Sequence, residues 1–281
     1  MRDNIPYIDI HSHLNFAAFD LDREEVLSRA LDGGVYSIQV GTQKDTSRSA
    51  VELARKYEKG VYAIVGVHPI HTGKSFHDKK ELGEEGGEFT SRGEVFDYEY
   101  YKELASDRKV IGIGECGLDY YRLEGADQEK QHDAFFSQIT LANEMNKPLM
   151  LHVRNGAGYS AYKDALMMLK KHARSGGNFH FFAGTVEEAK EILEAGFYFS
   201  FTGVITFARD YDEVVKYIPM NRILSETDSP YVAPSQHRGK RNEPIFVKEV
   251  VSRIALIKGK KEDEVKEAIF KNAETLFGIS S

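Results

Sequence analysis

Cysteine and tryptophan are almost missing from this chain of 281 residues, which contains one cysteine, Cys116, and no tryptophan. A single cysteine excludes an intramolecular disulfide, so the fold does not require an oxidising compartment. No run of about 18 apolar residues occurs, and residues 1–10 lack the basic and apolar regions of a secretory signal. These absences argue against a membrane-spanning helix and a disulfide-stapled fold, and we expect a cytoplasmic location.

An excess of positive charge is also lacking. The chain carries 37 basic and 44 acidic residues, a formal net charge of −7, which gives no general attraction for a phosphate backbone. A large interface that wraps duplex nucleic acid is therefore not expected. A nuclease that grips only a strand end needs few cationic contacts, however, because metal ions can supply positive charge locally.

A glycine-rich phosphate-binding loop is missing after the first predicted strand, which argues against an open doubly wound sheet that binds a dinucleotide there. Short β-rich runs alternate with amphipathic helical patterns such as Gln128–Met145, where Phe135, Ile139 and Ala142 recur at spacings of three and four. The eight strand candidates are Tyr7–Ile10, Val35–Val40, Val61–Val67, Val110–Gly114, Pro148–Val153, Asn178–Phe182, Tyr198–Phe201 and Arg222–Ser225. This pattern predicts a single-domain α/β protein over residues 1–281, a TIM (β/α)8 barrel.

Two segments depart from the regular alternation. Thr72–Asp107 is long for a connection between a strand and a helix, and it includes the acidic stretch Glu84–Glu94. We predict an insertion here, or a mobile loop followed by a helix. The segment Glu243–Phe277 is predicted to form helices that complete the outer layer of the barrel.

Candidate metal ligands follow the predicted strands, at the end of a barrel where active sites are built. The segment Asp9–His13 closes the first strand, and alternation places His11 and His13 on one side, within reach of one cation. Glu115 directly follows the apolar fourth strand, where a buried carboxylate needs a partner such as a cation. Taken alone, the histidines could be polar loop residues and Glu115 could pair with an arginine.

Three further residues extend this pattern to the later strands. His152 ends the fifth strand, His180 lies in the sixth, and Asp228 follows the eighth. Each alone could be structural, as a hydrogen-bonded core histidine or an aspartate that caps a helix. Together with the three residues above, they supply enough ligands for two divalent ions that share a carboxylate. The residues by themselves predict a metal-dependent hydrolase and leave its substrate open.

Seven motifs resemble, in order and over nearly the whole chain, those of the TatD deoxyribonuclease family in the amidohydrolase superfamily. The most specific lie within the segments Gly114–Tyr121 and Glu226–Tyr231. The other five are Asp9–His13, Gly66-Val67-His68-Pro69, His152-Val153-Arg154, His180–Gly184 and Arg238–Pro244. One departure follows the third strand, where the family's Gly-x-His-Pro motif often continues with another histidine and this chain has Ile70.

The resemblance implies a division of the six ligands between two ions. One ion would be held by His11, His13, Glu115 and Asp228, and the other by Glu115, His152 and His180. Asp228 and Glu115 are the expected catalytic residues, with Asp228 orienting or deprotonating the attacking water. The family implies hydrolysis of nucleic-acid phosphodiesters, commonly as an exonuclease supported by two divalent metal ions, Mg or Mn, with Zn also accepted. The implied partners are DNA strand ends, with RNA as a further candidate, and no membrane or obligate protein partner.

Substrate contacts are expected around the metal ligands, from side chains that can clamp a phosphate or stack on a base. The candidates are His68, Asp119, Tyr120, Arg122, Arg154, Phe207 and Arg241. Four further histidines, His71, His77, His132 and His172, are expected to be solvated. Two other functions stay open from the residues alone: a metal-dependent ester or amide hydrolase such as an aminoacyl-tRNA deacylase, and a non-catalytic binding protein that keeps the barrel.

Overall fold

The protein is described by a computed structural model that covers residues 5–73, 76–77, 89–90, 93–121 and 128–280. Its main element is an eight-stranded parallel sheet in which each strand pairs with the next one along the chain. The strands are β1 (Tyr7–Ser12), β2 (Val35–Val40), β3 (Val61–Val65), β4 (Val110–Asp119), β5 (Leu149–Arg154), β6 (Gly177–Phe179), β7 (Tyr198–Phe201) and β8 (Ile223–Ser225). The sheet curls into a nearly closed barrel, and the predicted TIM (β/α)8 fold is confirmed.

The strands are almost fully buried because helices cover one side of the sheet and the other side lines the barrel interior. β2 (VYSIQV) and β3 (VYAIV) consist largely of β-branched and aromatic residues, which favour extended backbone. Ile38, Ile64 and Leu151 are each 0% exposed within one continuous apolar core. The eight strands of this sheet run in the same direction, so their carboxyl ends gather at one mouth of the barrel.

Helices surround the sheet. They are α1 (Arg23–Asp32), α2 (Lys44–Arg55), α3 (Tyr98–Ala105), α4 (Gln128–Met145), α5 (Ala161–His172), α6 (Val186–Glu194), α7 (Asp212–Tyr217), α8 (Val247–Lys258) and α9 (Glu262–Phe277). Short 3-10 turns lie in the loops at Ala17–Phe19, Pro69–Thr72, Gly203–Thr206, Arg209–Tyr211, Met220–Arg222, Ser235–His237 and Pro244–Phe246. None of the helices in the described ranges is both long and apolar enough to cross a membrane.

The barrel closes where β1 meets the segment that follows β8. β8 contains three residues, and beyond it Ser229 forms a parallel bridge with Ser12. The amide of Asp228 donates to the carbonyl of His11 (2.9 Å), and the amide of His13 donates to the carbonyl of Ser229 (2.8 Å). The closure therefore places the first and last candidate metal ligands side by side.

Two predicted strands differ clearly from the structure: the fourth, which continues to Asp119 instead of ending at Gly114, and the sixth, which is shorter than predicted. The sequence predicts a strand over Asn178–Phe182, whereas β6 ends at Phe179. The chain turns there because Phe181 adopts a positive φ of 43° and its amide donates to the carboxylate of Glu226 (2.6 Å). This turn places His180 at the end of the strand.

The predicted helices agree more closely with the structure. Gln128–Met145 coincides with α4, and Glu243–Phe277 contains α8 and α9. In the segment Thr72–Asp107, the structure shows α3 and a short antiparallel pair of two-residue strands, Phe76–His77 and Phe89–Thr90. The remainder of the acidic stretch up to residue 92 lies outside the described residues.

Candidate metal centre

β1 delivers two histidines to the mouth of the barrel. His11 lies in β1 and His13 directly follows it, and their Nε2 atoms are 3.1 Å apart. Nδ1 of His13 is 2.8 Å from the carbonyl oxygen of Val40 at the end of β2. Because a carbonyl can only accept, Nδ1 carries the proton and Nε2 keeps a lone pair that faces the centre. The buried carboxylate of Asp9 fixes this strand by accepting hydrogen bonds from the amide (2.9 Å) and hydroxyl (2.6 Å) of Thr227.

Glu115 lies at the middle of the cluster, in β4, and is 3% exposed. Its Oε1 atom is 2.8 Å from Nε2 of His180, 2.9 Å from Nδ1 of His152 and 3.2 Å from Nε2 of His68. Its Oε2 atom is 3.3 Å from Nε2 of His11. One carboxylate thus has imidazoles on both of its oxygens, an arrangement suited to a bridge between two ions.

β4 and β5 approach closely beside this carboxylate. Gly117 has a φ of 137°, and a Cβ atom there would lie 2.1 Å from the carbonyl oxygen of His152, so only glycine fits. The ring of His152 lies between two carboxylates, with Nδ1 facing Glu115 and Nε2 3.1 Å from Oδ2 of Asp119. A buried aspartate in this place keeps the ring proton on Nε2 and leaves Nδ1 free for a cation.

Asp228 enters from the segment after β8. It adopts the left-handed conformation, with a φ of 55°, which aspartate tolerates better than most residues. Its Oδ1 atom is 3.4 Å from Nε2 of His13 and 3.8 Å from Nε2 of His11. Its side chain is 14% exposed, against 4% for Glu115, so Asp228 is the carboxylate of this pair that solvent reaches more easily.

His68 belongs to the same cluster, but it faces Glu115 with an N–H group instead of a lone pair. Its Nδ1 atom accepts a hydrogen bond from the amide of Ile70 (3.1 Å), and burial together with the neighbouring His152 lowers its pKa to about 4. The neutral ring therefore carries its proton on Nε2, which faces Glu115 at 3.2 Å. The structure thus makes His68 a hydrogen-bond donor to Glu115, without the free lone pair that a metal ligand needs.

The electrostatics of the cluster favour a bound cation. Burial alone would raise the pKa of Glu115, but His180 and His68 lower it well below its ordinary value, so the carboxylate is ionised. Burial disfavours a charged imidazole, yet Glu115 and Glu226 raise the pKa of His180 well above its ordinary value. The centre attracts positive charge, and a divalent ion supplies more of it than a protonated histidine does.

Among the described residues, three groups of side chains can hold a metal ion, each with ligand atoms within 4.8 Å of one another. They are His11, His13 and Asp228; His11, His180 and Glu226; and His68, Glu115 and His152. The tautomer of His68 argues against its place in the third group, and His180 lies closer to the same oxygen of Glu115. Imidazole nitrogens and carboxylate oxygens are the ligands that Zn²⁺ and Mn²⁺ accept, so the residues present fit a divalent ion.

Sequence reasoning misses Glu226, which lies behind His180. Its carboxylate is 0% exposed and accepts hydrogen bonds from the amide of Phe181 (2.6 Å) and the hydroxyl of Ser200 (2.7 Å). Its Oε1 atom is 3.6 Å from Nδ1 of His180, a buried atom without a hydrogen-bond partner among the described residues. Glu226 could have been found in the sequence because it lies two residues before Asp228. In an extended segment, residues at that spacing face the same side.

Tyr120 and Arg241, expected as substrate contacts, are engaged elsewhere. Tyr120 is 3% exposed, and its hydroxyl lies 2.7 Å from Nε2 of His132 and donates to Asp164 (2.9 Å), so its ring offers no open stacking face. Arg241 forms a two-point ion pair with Asp22, at 2.9 and 2.5 Å. The burial of the ring contradicts the expectation for Tyr120, whereas Arg241, which is 30% exposed, stays a prediction.

The remaining candidates divide into buried and exposed positions. Asp119 is 2% exposed and supports His152 from behind instead of lining the mouth. Arg154 and Phe207 are exposed, as a substrate contact requires. Arg122 lies outside the described residues.

The expectation that four histidines are solvated is also wrong in part. His71 is 3% exposed, and its ring lies edge-on to that of His68 at 5.8 Å. His132 is half-buried against Tyr120, and His172 packs edge-on against Phe136. The side chain of His77 lies outside the described residues.

Eight parallel strands that gather histidines and carboxylates at their carboxyl ends are the architecture of a metal-dependent hydrolase. The comparison with known families identifies which one. The chain belongs to the TatD family, because the family described as "TatD related DNase" matches residues 8–278.

Proteins with and without a named activity are similar to this chain. It is 38% identical over 277 residues to "Uncharacterized metal-dependent hydrolase YabD" of Bacillus subtilis, covering 97% of this chain and 99% of that protein. It is 32% identical over 282 residues to "3'-5' ssDNA/RNA exonuclease TatD" of Shigella flexneri, covering 97% and 99%. Among solved structures, the TatD homologue YjjV of Escherichia coli superposes with a TM-score of 0.81 at 27% identity, over 98% of both chains.

Proposed function

We propose that the protein is a nuclease that hydrolyses phosphodiester bonds at the ends of DNA strands, and of RNA strands as well, with two divalent ions. The observation that carries the proposal is the position of Glu115. Its Oε2 atom faces the side of the cluster that holds His11 and His13, and its Oε1 atom faces His152 and His180. Two ligand sets that share one carboxylate suit a pair of ions that act on one phosphodiester.

The residues divide between the two ions as follows. His11, His13, Glu115 and Asp228 would hold one, and Glu115, His152 and His180 the other. Divalent ions bound there supply Lewis acidity at neutral pH and positive charge to offset that of the phosphate. Mg, Mn and Zn are the candidates for this role.

The protein's own side chains perform the remaining tasks. Asp228 would accept the proton of the attacking water through its carboxylate, since it is ionised and partly open to solvent. Burial raises its pKa, but the neighbouring imidazoles of His13 and His11 lower it below the ordinary value. Asp119 keeps the tautomer of His152 that leaves Nδ1 free, and His68 donates from Nε2 toward the shared carboxylate. These supports hold the ligands in place before the substrate arrives.

Nucleic acid is the proposed substrate because of the family and the named relative, and strand ends are proposed because of charge. The relative from Shigella flexneri carries the name of a single-stranded DNA and RNA exonuclease. A net charge of −7 disfavours a long contact with a polyanion, whereas a strand end presents few phosphates.

A panel of substrates tests the proposal. The wild-type protein, stripped with a chelator and reloaded with Mg, Mn or Zn, is offered end-labelled linear DNA and RNA, closed circular single strands and aminoacyl-tRNA. We expect shortening of the linear strands and little cleavage of the circle, with Asp228→Asn prepared in parallel to exclude a contaminating nuclease. Equal cleavage of circular and linear strands would overturn end entry. Release of the amino acid from aminoacyl-tRNA without cleavage of any strand would overturn the nuclease and favour the deacylase.

A further inference from the structure

Two exposed aromatic rings at the mouth of the barrel are each covered on one side by an arginine. The guanidinium carbon of Arg154 lies 3.8 Å from the ring centre of Tyr121, and that of Arg238 lies 4.4 Å from the ring centre of Phe207. Tyr121 is 63% exposed and Phe207 is 39% exposed. Among the described residues, the other aromatic rings that face a cation are buried or half-buried.

The first pair continues directly from the metal centre. Alternation along β4 puts Tyr121 on the same side as Asp119, and alternation along β5 puts Arg154 on the same side as His152. The amide of Tyr121 donates to Oδ1 of Asp119 (2.9 Å), the carboxylate whose other oxygen faces His152. Two residues of extended chain span about 7 Å, so the pair lies roughly one nucleotide from the ligand His152.

The second pair rises from the later strands of the barrel. Phe207 ends the 3-10 turn that directly follows β7, and Arg238 follows the 3-10 turn in the loop after β8. The amide of Ser235 donates to the hydroxyl of Thr206 (2.8 Å), which ties these two loops together. The pairs therefore stand on the loops after β4 and β5 and on those after β7 and β8, at the mouth where a substrate must enter.

We propose that these two pairs form a base-stacking clamp for single-stranded nucleic acid, which rests on the proposed nuclease function. A guanidinium on one face of each ring restricts the ring's movement and leaves the opposite face open to a planar partner. Every nucleobase has such a face, and the same arginines carry the positive charge that a phosphate backbone requires. Each pair therefore offers an aromatic ring and a positive charge. This combination fits a single strand better than a duplex, because the bases of a single strand are unpaired and accessible.

Binding measurements test the clamp separately from catalysis. Fluorescence anisotropy follows a labelled oligo(dT) strand and an abasic strand of the same length, bound to Asp228→Asn protein loaded with Ca²⁺. Tyr121→Leu and Phe207→Leu are made in this background. Tyr217→Leu is the matched control, because Tyr217 is a 44% exposed tyrosine on the outer helix α7. Loss of one stacked base is expected to weaken oligo(dT) binding by about 5- to 100-fold.

The expected result is a loss confined to strands that carry bases. Tyr121→Leu and Phe207→Leu should weaken oligo(dT) binding and leave abasic binding unchanged, while the Tyr217→Leu control changes neither. Arg154→Lys keeps the positive charge but removes the planar guanidinium, so it should reproduce part of the loss of oligo(dT) binding. Equal effects on both strands, or an effect no larger than that of the control, would overturn the clamp. If the wild-type protein binds oligo(dT) through these rings but cleaves no strand, the proposed function fails while the clamp stands.

Discussion

Replacing Asp119 with asparagine isolates the contribution of the carboxylate behind His152. In the structure, Oδ1 accepts a hydrogen bond from the amide of Tyr121 (2.9 Å), and Oδ2 lies 3.1 Å from Nε2 of His152. Asparagine offers one oxygen that accepts and one NH₂ group that donates. Because the amide of Tyr121 can only donate, we expect the oxygen to stay there and the NH₂ group to face His152.

We expect the Asp119→Asn substitution to change the tautomer of His152. An NH₂ group beside Nε2 requires a lone pair on that atom, so the ring proton moves to Nδ1, which faces Glu115 at 2.9 Å. The proton then blocks the lone pair that a metal ion needs. Loss of such support typically weakens metal binding about 10- to 100-fold, which corresponds to about 1.4–2.8 kcal/mol. The fold should persist because the two side chains have nearly the same volume.

Calorimetric titration of chelator-treated protein with Zn²⁺ or Mn²⁺ measures the effect. Asp97→Asn is the matched control, because Asp97 caps α3 with a side chain that is 47% exposed, and it should bind metal as the wild type does. Far-UV circular dichroism checks that both variants are folded. If Asp119→Asn binds both ions with wild-type affinity, the tautomer argument is wrong.

Three further predictions concern the same centre. Asp228→Asn should lower turnover by about 10²–10⁴-fold without unfolding the protein, because an amide is a poor base; more than a tenth of wild-type turnover would refute this role. Glu115→Gln should lower the occupancy of both ions together, whereas His180→Ala should mainly empty one; two full equivalents in the Glu115 variant, by metal analysis, would contradict the bridge. Binding of a single strand should show a log–log salt slope of about −2 to −3 if three phosphates are neutralised; a slope near −8 would exclude a small footprint.

The barrel and the ligand cluster could be predicted because each depends on local pattern. An apolar run followed by a histidine or carboxylate marks a strand whose end lies at the mouth, and this rule located His11, Glu115, His152 and Asp228. Closure of eight parallel strands then requires those ends to meet. The ligands could therefore be identified without knowing the distances between them.

The outer contacts could not be predicted as well, because they depend on where a strand stops. β4 continues to Asp119, so Tyr120 turns outward into the helices and Tyr121 faces the mouth. If the fourth strand is extended beyond Glu115, every second residue faces the same side, and Tyr121 is one of them. The sequence prediction ended this strand at Gly114, so Tyr121 was not considered. Arg241 could not be judged at all, since its partner Asp22 lies more than 200 residues away in the chain.

The pairing of β1 with the segment after β8 also determines when the metal centre can be completed during synthesis. His11 and Asp228 are separated by 217 positions, which a ribosome covers in roughly 10–40 s at about 5–20 residues per second. During that interval a nascent chain carries the histidine pair without Asp228 and without the segment that closes the barrel. The proposed nuclease would thus be incomplete while it lies beside the messenger and transfer RNA that direct its synthesis. A chain ending at residue 222 is expected to show no metal-dependent cleavage of RNA, and cleavage by such a fragment would contradict this timing.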